Sequence, residues 1–324
     1  VSSLIELEDL TVSIKQINHT VNAVEGVSFH INPQEVFALV GESGCGKTLT
    51  ALSILRLLPP NIELSGKVFY KKDTKRIEIL SLEEEKLRFL RGKEISMVFQ
   101  EPMTSLNPVI TIKDQLIEPL LVHENISKKE AIDKAIELLQ KTGFREPEMV
   151  LRSYPHQLSG GMRQRVMLCM AIICNPKLLI ADEPTTALDV TIQAEIMELL
   201  KEIQQQRGLS VLLITHNLAL VYEIAHTVAI MYAGSIVEKT TKEKLFTTPL
   251  HPYTRGLLES IPTERGKPLK PIHGTVPPPG HWPKGCKFAP RCRYKKQLCE
   301  DTEPVLEPVS PEHLVRCHFW RQIQ

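Results

Sequence analysis

Short, uninterrupted apolar runs separated by longer helical patterns mark most of this chain. Val36, Phe37, Ala38, Leu39 and Val40 form the clearest run, and residues 95–99, 178–181 and 211–214 read the same way. Runs this short and almost wholly apolar, interrupted only by Ser96, predict strands buried on both faces, which is the habit of parallel sheets covered by helices. Ser81 with Glu84, and Ser127 with Glu130, have the spacing of capping boxes and predict two helix starts. Residues 128–140 predict an amphipathic helix. No repeat of solenoid period is present. The pattern changes after about residue 248. Pro249, Pro252, Pro262, Pro268, Pro271 and the run Pro277, Pro278, Pro279 deny that stretch long helices. The expected division is a main α/β domain over 1–248 and a Pro-rich extension over 249–324.

Composition narrows the function classes. The chain has 324 residues, 42% of them hydrophobic, and a formal net charge of +1. A large core is within reach, and disorder is excluded as the general state. The near-balanced charge gives no reason to expect nucleic acid or an anionic membrane surface as the main partner. No apolar run approaches the roughly 20 residues of a membrane helix. The first ten residues are acidic, unlike the basic, then apolar, start of a signal peptide. A role in a membrane process is therefore expected from the water side, through partners that span.

Three motifs carry candidate chemistry. Gly41, Glu42, Ser43, Gly44, Cys45, Gly46, Lys47 and Thr48 match the phosphate-binding pattern G-x-x-x-x-G-K-[ST]. The loop follows the run ending at Val40 and opens an apolar helix over 49–58. Its glycines let backbone N–H groups turn toward phosphate oxygens, and the helix N-terminus adds partial positive charge. Lys47 is the expected ligand of the β- and γ-phosphates, and Thr48 of Mg²⁺. Residues 178–181 form an apolar strand ending in Asp182 and Glu183. Asp182 is the candidate that holds Mg²⁺ through water, and Glu183 the general base. Leu158, Ser159, Gly160, Gly161, Met162, Arg163, Gln164 and Arg165 come shortly before that strand. An ordinary N-cap explains Ser159. It does not explain two glycines, whose entropy cost suggests a close approach to something.

The third motif resembles the signature of the ABC ATPase family. The resemblance implies a P-loop NTPase fold: a parallel-sheet core, an inserted helical subdomain at about 101–170 and a small Cys-containing C-terminal extension. It implies ATP hydrolysis by two domains closing head to tail, with Ser159, Gly160, Gly161 and Gln164 of one chain facing the nucleotide on the other. Gln100 matches the Q-loop glutamine that senses Mg²⁺ and the attacking water. Ala187, Leu188 and Asp189 resemble the D-loop, and His216 the switch histidine at the γ-phosphate. Where the family stacks an aromatic on adenine, this chain has Ile14, with His19 as a possible substitute. The His251, Pro252, Tyr253, Thr254 stretch and the tail after it look like the extension of oligopeptide, dipeptide and nickel importer ATPases, as do residues 101–108 after Gln100.

For this chain the implied role is to power uptake of di- or oligopeptides from the cytoplasmic face of the membrane. Nickel or another small solute is the alternative. A soluble ABC-type ATPase is disfavoured, because no long coiled-coil insertion or second cassette is present. The implied partners are a second ABC ATPase subunit, similar or identical, two transmembrane permease subunits and, indirectly, an external solute-binding protein. No nucleic acid is expected.

Four of the seven cysteines, Cys286, Cys292, Cys299 and Cys317, fall in the tail. Trp282, Phe288, Phe319 and Trp320 could form only a small core, so the tail is expected to need a staple. The spacing C-x₅-C-x₆-C-x₁₇-C is a poor match to zinc knuckles. Four thiolates on a flexible loop suit a [4Fe–4S] cluster, which the resembled extension is also associated with. Zinc, or free or oxidised thiols, are the alternatives. The nucleotide chemistry is expected to lie apart, within residues 41–216.

Overall fold

A computed structural model describes residues 3–17, 19–100, 105–186, 188–261 and 271–323. Residues 101–104 and 187 of the motifs above, and Pro262 and Pro268, lie outside them. The strands in chain order are β1 (Ile5–Lys15), β2 (Thr20–Ile31), β3 (Val36–Val40), β4 (Ile62–Lys72), β5 (Lys75–Glu78) and β6 (Ile95–Val98). They continue with β7 (Leu178–Asp182), β8 (Ser210–Thr215), β9 (Thr227–Tyr232), β10 (Ser235–Thr241), β11 (Glu307–Ser310) and β12 (His313–Val315). Helices follow β3, β5, β6, β7, β8 and β10, so the protein is α/β as expected. It forms two compact units, one of Val1–Ser81 with Ile214–Gln324 and one of Leu82–Leu213.

The first unit contains an antiparallel sheet in the order β2-β1-β4-β5. Ile5, Leu7, Leu10 and Val12 of β1 are buried, and the register slips between Leu7 and Leu10. Asp9 sits in that bulge with φ 48. Gly66 faces it so closely that a Cβ would lie 2.4 Å from the Asp9 carbonyl oxygen. Only glycine fits there. A second set of strands runs β11-β12-β10-β9-β3. β3 and β9 are parallel, Phe37 to Val40 against Thr227 to Ile230. All five residues of β3 are buried, as a strand covered on both faces requires. It delivers the phosphate loop at its C-terminal end, and the helix Lys47–Leu55 follows.

The second unit pairs β6 with β7 in parallel, Ile95 to Val98 against Leu178 to Ala181. The helix Lys128–Lys141 begins with the expected capping box: Ser127 Oγ accepts from Glu130 N–H and the Glu130 carboxylate from Ser127 N–H. The expectation at Ser81 fails. The next helix is Glu84–Leu90, its N-cap is Glu83, and Ser81 Oγ donates instead to the Glu78 carbonyl. A hydroxyl that closes a local turn is not available to cap.

The metal centre expected in the tail is not found. Among the described residues no group of three or more His, Cys, Asp or Glu side chains is placed to hold a metal ion. Cys286, Cys292, Cys299 and Cys317 are free, and they line one cavity of about 20 Å³, room for about a single water rather than an iron–sulfur cubane. Burial, with the neighbouring cysteines adding to it, pushes the Cys286 thiol up to about 12 and that of Cys317 up to about 11. The iron–sulfur expectation, and zinc with it, is therefore corrected to four buried or half-buried thiols.

The tail orders itself by joining a larger core. Phe288 packs with Tyr232, Tyr253, Val237 and Leu245 in one buried cluster, its ring 5.2 Å from Tyr232 and 5.4 Å from Tyr253. β12 adds to the edge of β10, with Val315 opposite Glu238. Glu238 is fully buried and accepts from Leu250 N–H at 2.8 Å, His251 N–H at 2.9 Å and His313 Nε2 at 2.8 Å. Burial alone raises its pKa, but the bonds from His313 and the two backbone amides help overrule it, and the carboxyl is held below its ordinary value.

His251 lies beside this carboxylate, and burial lowers its pKa to about 4 from the ordinary 6.5. Its Nδ1 accepts from Tyr253 N–H, which needs the neutral ring. The unfolded chain therefore binds a proton that the fold refuses. This contribution to stability is complete above pH 6.5 and is lost as pH falls toward 4, by an amount on the order of 3 kcal/mol. Glu238 adds a loss of the same sign below its ordinary 4.5. Thermal unfolding at pH 7.5, 6, 5 and 4 is expected to show this fall in the wild type. His251→Asn, which keeps the cap and removes the titration, is expected to flatten it between pH 6.5 and 4. Identical pH profiles for the two proteins contradict the assignment.

Candidate functional site

The phosphate-loop residues lie in the first unit. Gly44 and Gly46 have φ of +80° and +105°, a conformation that side chains with a Cβ resist. Gly41 is pressed against β9: a Cβ there would meet the Met231 carbonyl oxygen at 2.2 Å. Lys47 is 5% exposed. Its ammonium donates to the carbonyls of Gly41 at 2.8 Å and Glu42 at 3.0 Å, so the loop wraps around it. Ser43 and Gly44 are exposed and Thr48 is half-buried. Cys45 is buried, and burial raises its pKa despite the nearby Lys47 charge. His216 is exposed beyond the end of β8, before the helix Leu218–Ile224 whose N-cap is Asn217. Ile14 is half-buried in β1 between Val21 of β2 and Ile62 of β4, and His19 is exposed.

The acidic strand end lies in the second unit. Asp182 is 1% exposed at the end of β7. Glu183 follows with φ 45, in the left-handed region. Its Oε2 accepts from Gln100 Nε2 at 3.1 Å and from Thr186 Oγ1 at 2.9 Å. The structure thus brings together Gln100 and Glu183, two of the three residues assigned catalytic roles from sequence.

The signature residues begin the helix Gly160–Ile172. Ser159 is exposed and caps it, accepting from Met162 N–H. Gln164 is 2% exposed and donates to the Pro184 carbonyl. It points inward, toward the turn after Glu183. The double glycine has a visible neighbour in its own chain. A Cβ on Gly161 would lie 2.9 Å from Ile192 Cγ2, and one on Gly160 3.6 Å from Leu188 Cδ2. Asp189 caps the helix Val190–Arg207 by accepting from Ile192 N–H at 3.0 Å. Gln193 ties down the preceding segment, donating to the carbonyls of Thr185 and Leu188.

The model of the ABC transporter family matches residues 24–186, from β2 through both candidate loops. The chain belongs to the ABC transporter family. A second family, described as the C-terminal region of oligopeptide/dipeptide transporters, matches residues 237–299. The oligopeptide transport ATP-binding protein AppD of Bacillus subtilis is 48% identical over 99% of this chain and 98% of its own length. The dipeptide transport ATP-binding protein DppD of the same organism is 47% identical over 99% and 95%. Among solved structures, a dimeric ATP-binding cassette in a post-hydrolysis state, bound to ADP and phosphate, is 28% identical. Its TM-score is 0.65 over 74% of this chain and 98% of that one. The cassette described here is therefore an ATPase of this family. Among the described residues no helix is long and apolar enough to cross a membrane.

Two contacts with the cassette's phosphate loop escape a sequence reading. Tyr253 Oη accepts from Glu42 N–H at 3.0 Å, and Arg291 Nη1 donates to Glu42 Oε1 at 3.0 Å. Tyr253 sits in a motif that was visible. Arg291 carries no local signal.

The close contact at Gly161 generates a prediction. Gly161→Ala drives a methyl into Ile192 and is expected to destabilise the cassette by about 1–3 kcal/mol, the usual cost of overpacking. Ile192→Ala in the same chain opens the space and should restore most of that loss. Chemical denaturation of the single and double variants measures it. A fully stable Gly161→Ala, or an additive double variant, rejects the contact.

Proposed function

We propose that this cassette powers import of di- or oligopeptides across the cytoplasmic membrane, working from the inner face. Two nucleotide-binding domains close around ATP on a pair of membrane permeases. The observation that carries the peptide assignment is the C-terminal segment. It matches the oligopeptide/dipeptide transporter region over 237–299, and it is built into the core of the nucleotide-binding unit through Tyr253 and Phe288. The similarity to peptide transport proteins over nearly the whole chain supports the same reading.

In this reading Lys47 and the N–H groups of residues 43–48 grip the phosphates. Glu183 takes the proton of the attacking water, held in place by Gln100 and Thr186. His216 contacts the γ-phosphate. Ser159, Gly160 and Asp189 face the nucleotide bound to the partner cassette. Gln164 serves by fixing the turn after Glu183, given its bond to the Pro184 carbonyl. The oxygen donors Thr48, Asp182 and Gln100 have the hard character that Mg²⁺ prefers. That ion, when bound, neutralises charge on the phosphates. The partners in this reading are a second cassette, of the same or a similar chain, two permease subunits and an external solute-binding protein.

Glu183→Gln keeps the hydrogen bonds and removes the base. Its ATP affinity is expected to stay near wild type while turnover falls by a factor on the order of 10²–10⁴, with a closed ATP-bound dimer accumulating on gel filtration. Near-normal turnover sinks the assignment. Separately, co-expression of Lys47→Ala chains with Ser159→Arg chains is expected to recover part of the ATPase activity that each lacks alone, because one intact shared site forms. An inactive mixture with proven association argues against composite sites in a homodimer. Peptide-stimulated ATPase activity in liposomes carrying the permeases and binding protein tests the substrate class.

A further inference from the structure

The C-terminal segment reaches the phosphate loop by two routes within one unit. On the first, Tyr253 Oη accepts from Glu42 N–H and the Arg291 guanidinium pairs with the Glu42 carboxylate. Arg291 is held rigidly for this task. Its side chain is 5% exposed, and its remaining donors are fixed by the carbonyls of His273 at 2.9 Å and Ile272 at 3.3 Å. Burial and the Glu42 carboxylate both favour the protonated Tyr253 hydroxyl. On the second route, Trp282 covers Gly234, where a Cβ would lie 2.6 Å from its ring. Gly234 N–H donates to the Cys45 carbonyl at 3.0 Å. Beside it, buried Lys287 lies 3.7 Å from the centre of the Trp282 ring and donates to Ser235 Oγ and Glu25 Oε2.

Glu42 is the pivot. Its carbonyl holds the Lys47 ammonium, while its N–H and its carboxylate are held by the tail. We propose that Tyr253 and Arg291 are positioning residues for ATP binding: they orient the peptides around Glu42 and thereby set the place of Lys47. The proposal rests on reading residues 41–48 as the nucleotide site. It departs from the expectation that the tail lies apart from the nucleotide chemistry. A segment that merely needed anchoring would not have to anchor on the loop. The β10–β12 ladder already anchors it elsewhere.

The test uses the full chain and MgATP. Tyr253→Phe and Arg291→Met are each expected to raise KM for ATP, and the Kd of a fluorescent ATP analogue, by ~3- to 10-fold, the range spanned by one lost hydrogen bond or charge-assisted bond. The turnover number should change less than about twofold, because the grip on phosphate is lost equally from ground and transition states. Arg291→Lys, which keeps the charge beside Glu42, is expected to recover part of the loss. Glu42→Ala combined with Arg291→Met should be no worse than the worse single variant. Arg293→Ala, which cuts the Arg293–Glu259 pair within the tail and no contact to the loop, should leave KM unchanged. An unchanged KM in folded Tyr253→Phe and Arg291→Met overturns the proposal, and so does an equal rise in Arg293→Ala, which would mean general loosening of the tail. Lys47→Ala is the reference: full ATP affinity in that variant overturns the nucleotide-site reading itself.

Discussion

A buried ammonium organises the loop on which the rest depends. Lys47 is nearly sealed from water, and a charge in that position is tolerable only when oxygen atoms surround it. The carbonyls of Gly41 and Glu42 supply them. Turning those carbonyls toward Lys47 fixes the direction of the adjoining peptides. The positive φ values at Gly44 and Gly46 carry the chain back into the helix with its N–H groups leading. β3 matters because it brings Gly41 to a fixed place. The contact of Gly41 with Met231 on β9 leaves no room for any larger residue. Sheet, glycines and lysine are thus one device, and none of the three specifies the loop without the others.

The tail is the part where sequence reasoning went astray, and the reason is physical. Counted alone, a stretch rich in proline with Trp282, Phe288, Phe319 and Trp320 as its candidate core has little to bury. The conclusion that it needs a metal staple assumed that it folds alone. It does not. Phe288 and Tyr253 complete a cluster begun by Val228, Ile230 and Tyr232, and β12 extends a sheet already formed. The cysteines are then small apolar residues around a void of about 20 Å³. The buried carboxylate of Glu238 on β10 ties down two other segments, one through Leu250 and His251 and one through His313.

What was legible followed the range of the interaction. The strands β3, β6, β7 and β8 were readable because strands buried on both faces are apolar at nearly every position. The capping box at Ser127 was readable because its partners are three residues apart. The alternation in β1 was equally local, yet the antiparallel sheet of β1, β2, β4 and β5 was not anticipated. Its polar positions and the bulge at Asp9 break the uninterrupted apolar signature that the reading relied on. The candidate site was legible as motifs, residue by residue, and the family followed from them. The contacts among those residues were not. Tyr253 and Arg291 lie 211 and 249 positions from Glu42, and no spacing rule reaches that far. The double glycine shows the same limit. Its entropy cost announced a close approach, but only the fold identifies Ile192 as a neighbour.

The backbone at Glu183 adds a constraint that no motif announces. A glutamate at φ 45 sits where residues with a Cβ are disfavoured, at a cost of about 1–3 kcal/mol. Such a conformation persists only if its surroundings over-determine it. Here they do. β7 is buried along its whole length and fixes the chain up to Asp182. Gln164 grips the Pro184 carbonyl immediately after, Gln193 holds the carbonyls of Thr185 and Leu188, and the side chain itself is bonded by Gln100 and Thr186. A relaxed backbone would turn the carboxylate elsewhere and break those two bonds together. The strain therefore has a direction: it keeps one carboxylate oxygen between Gln100 and Thr186, and it makes that placement depend on the signature helix, which supplies Gln164. The segment that carries Ser159 is thereby coupled, through one buried amide, to the acid proposed to take the proton.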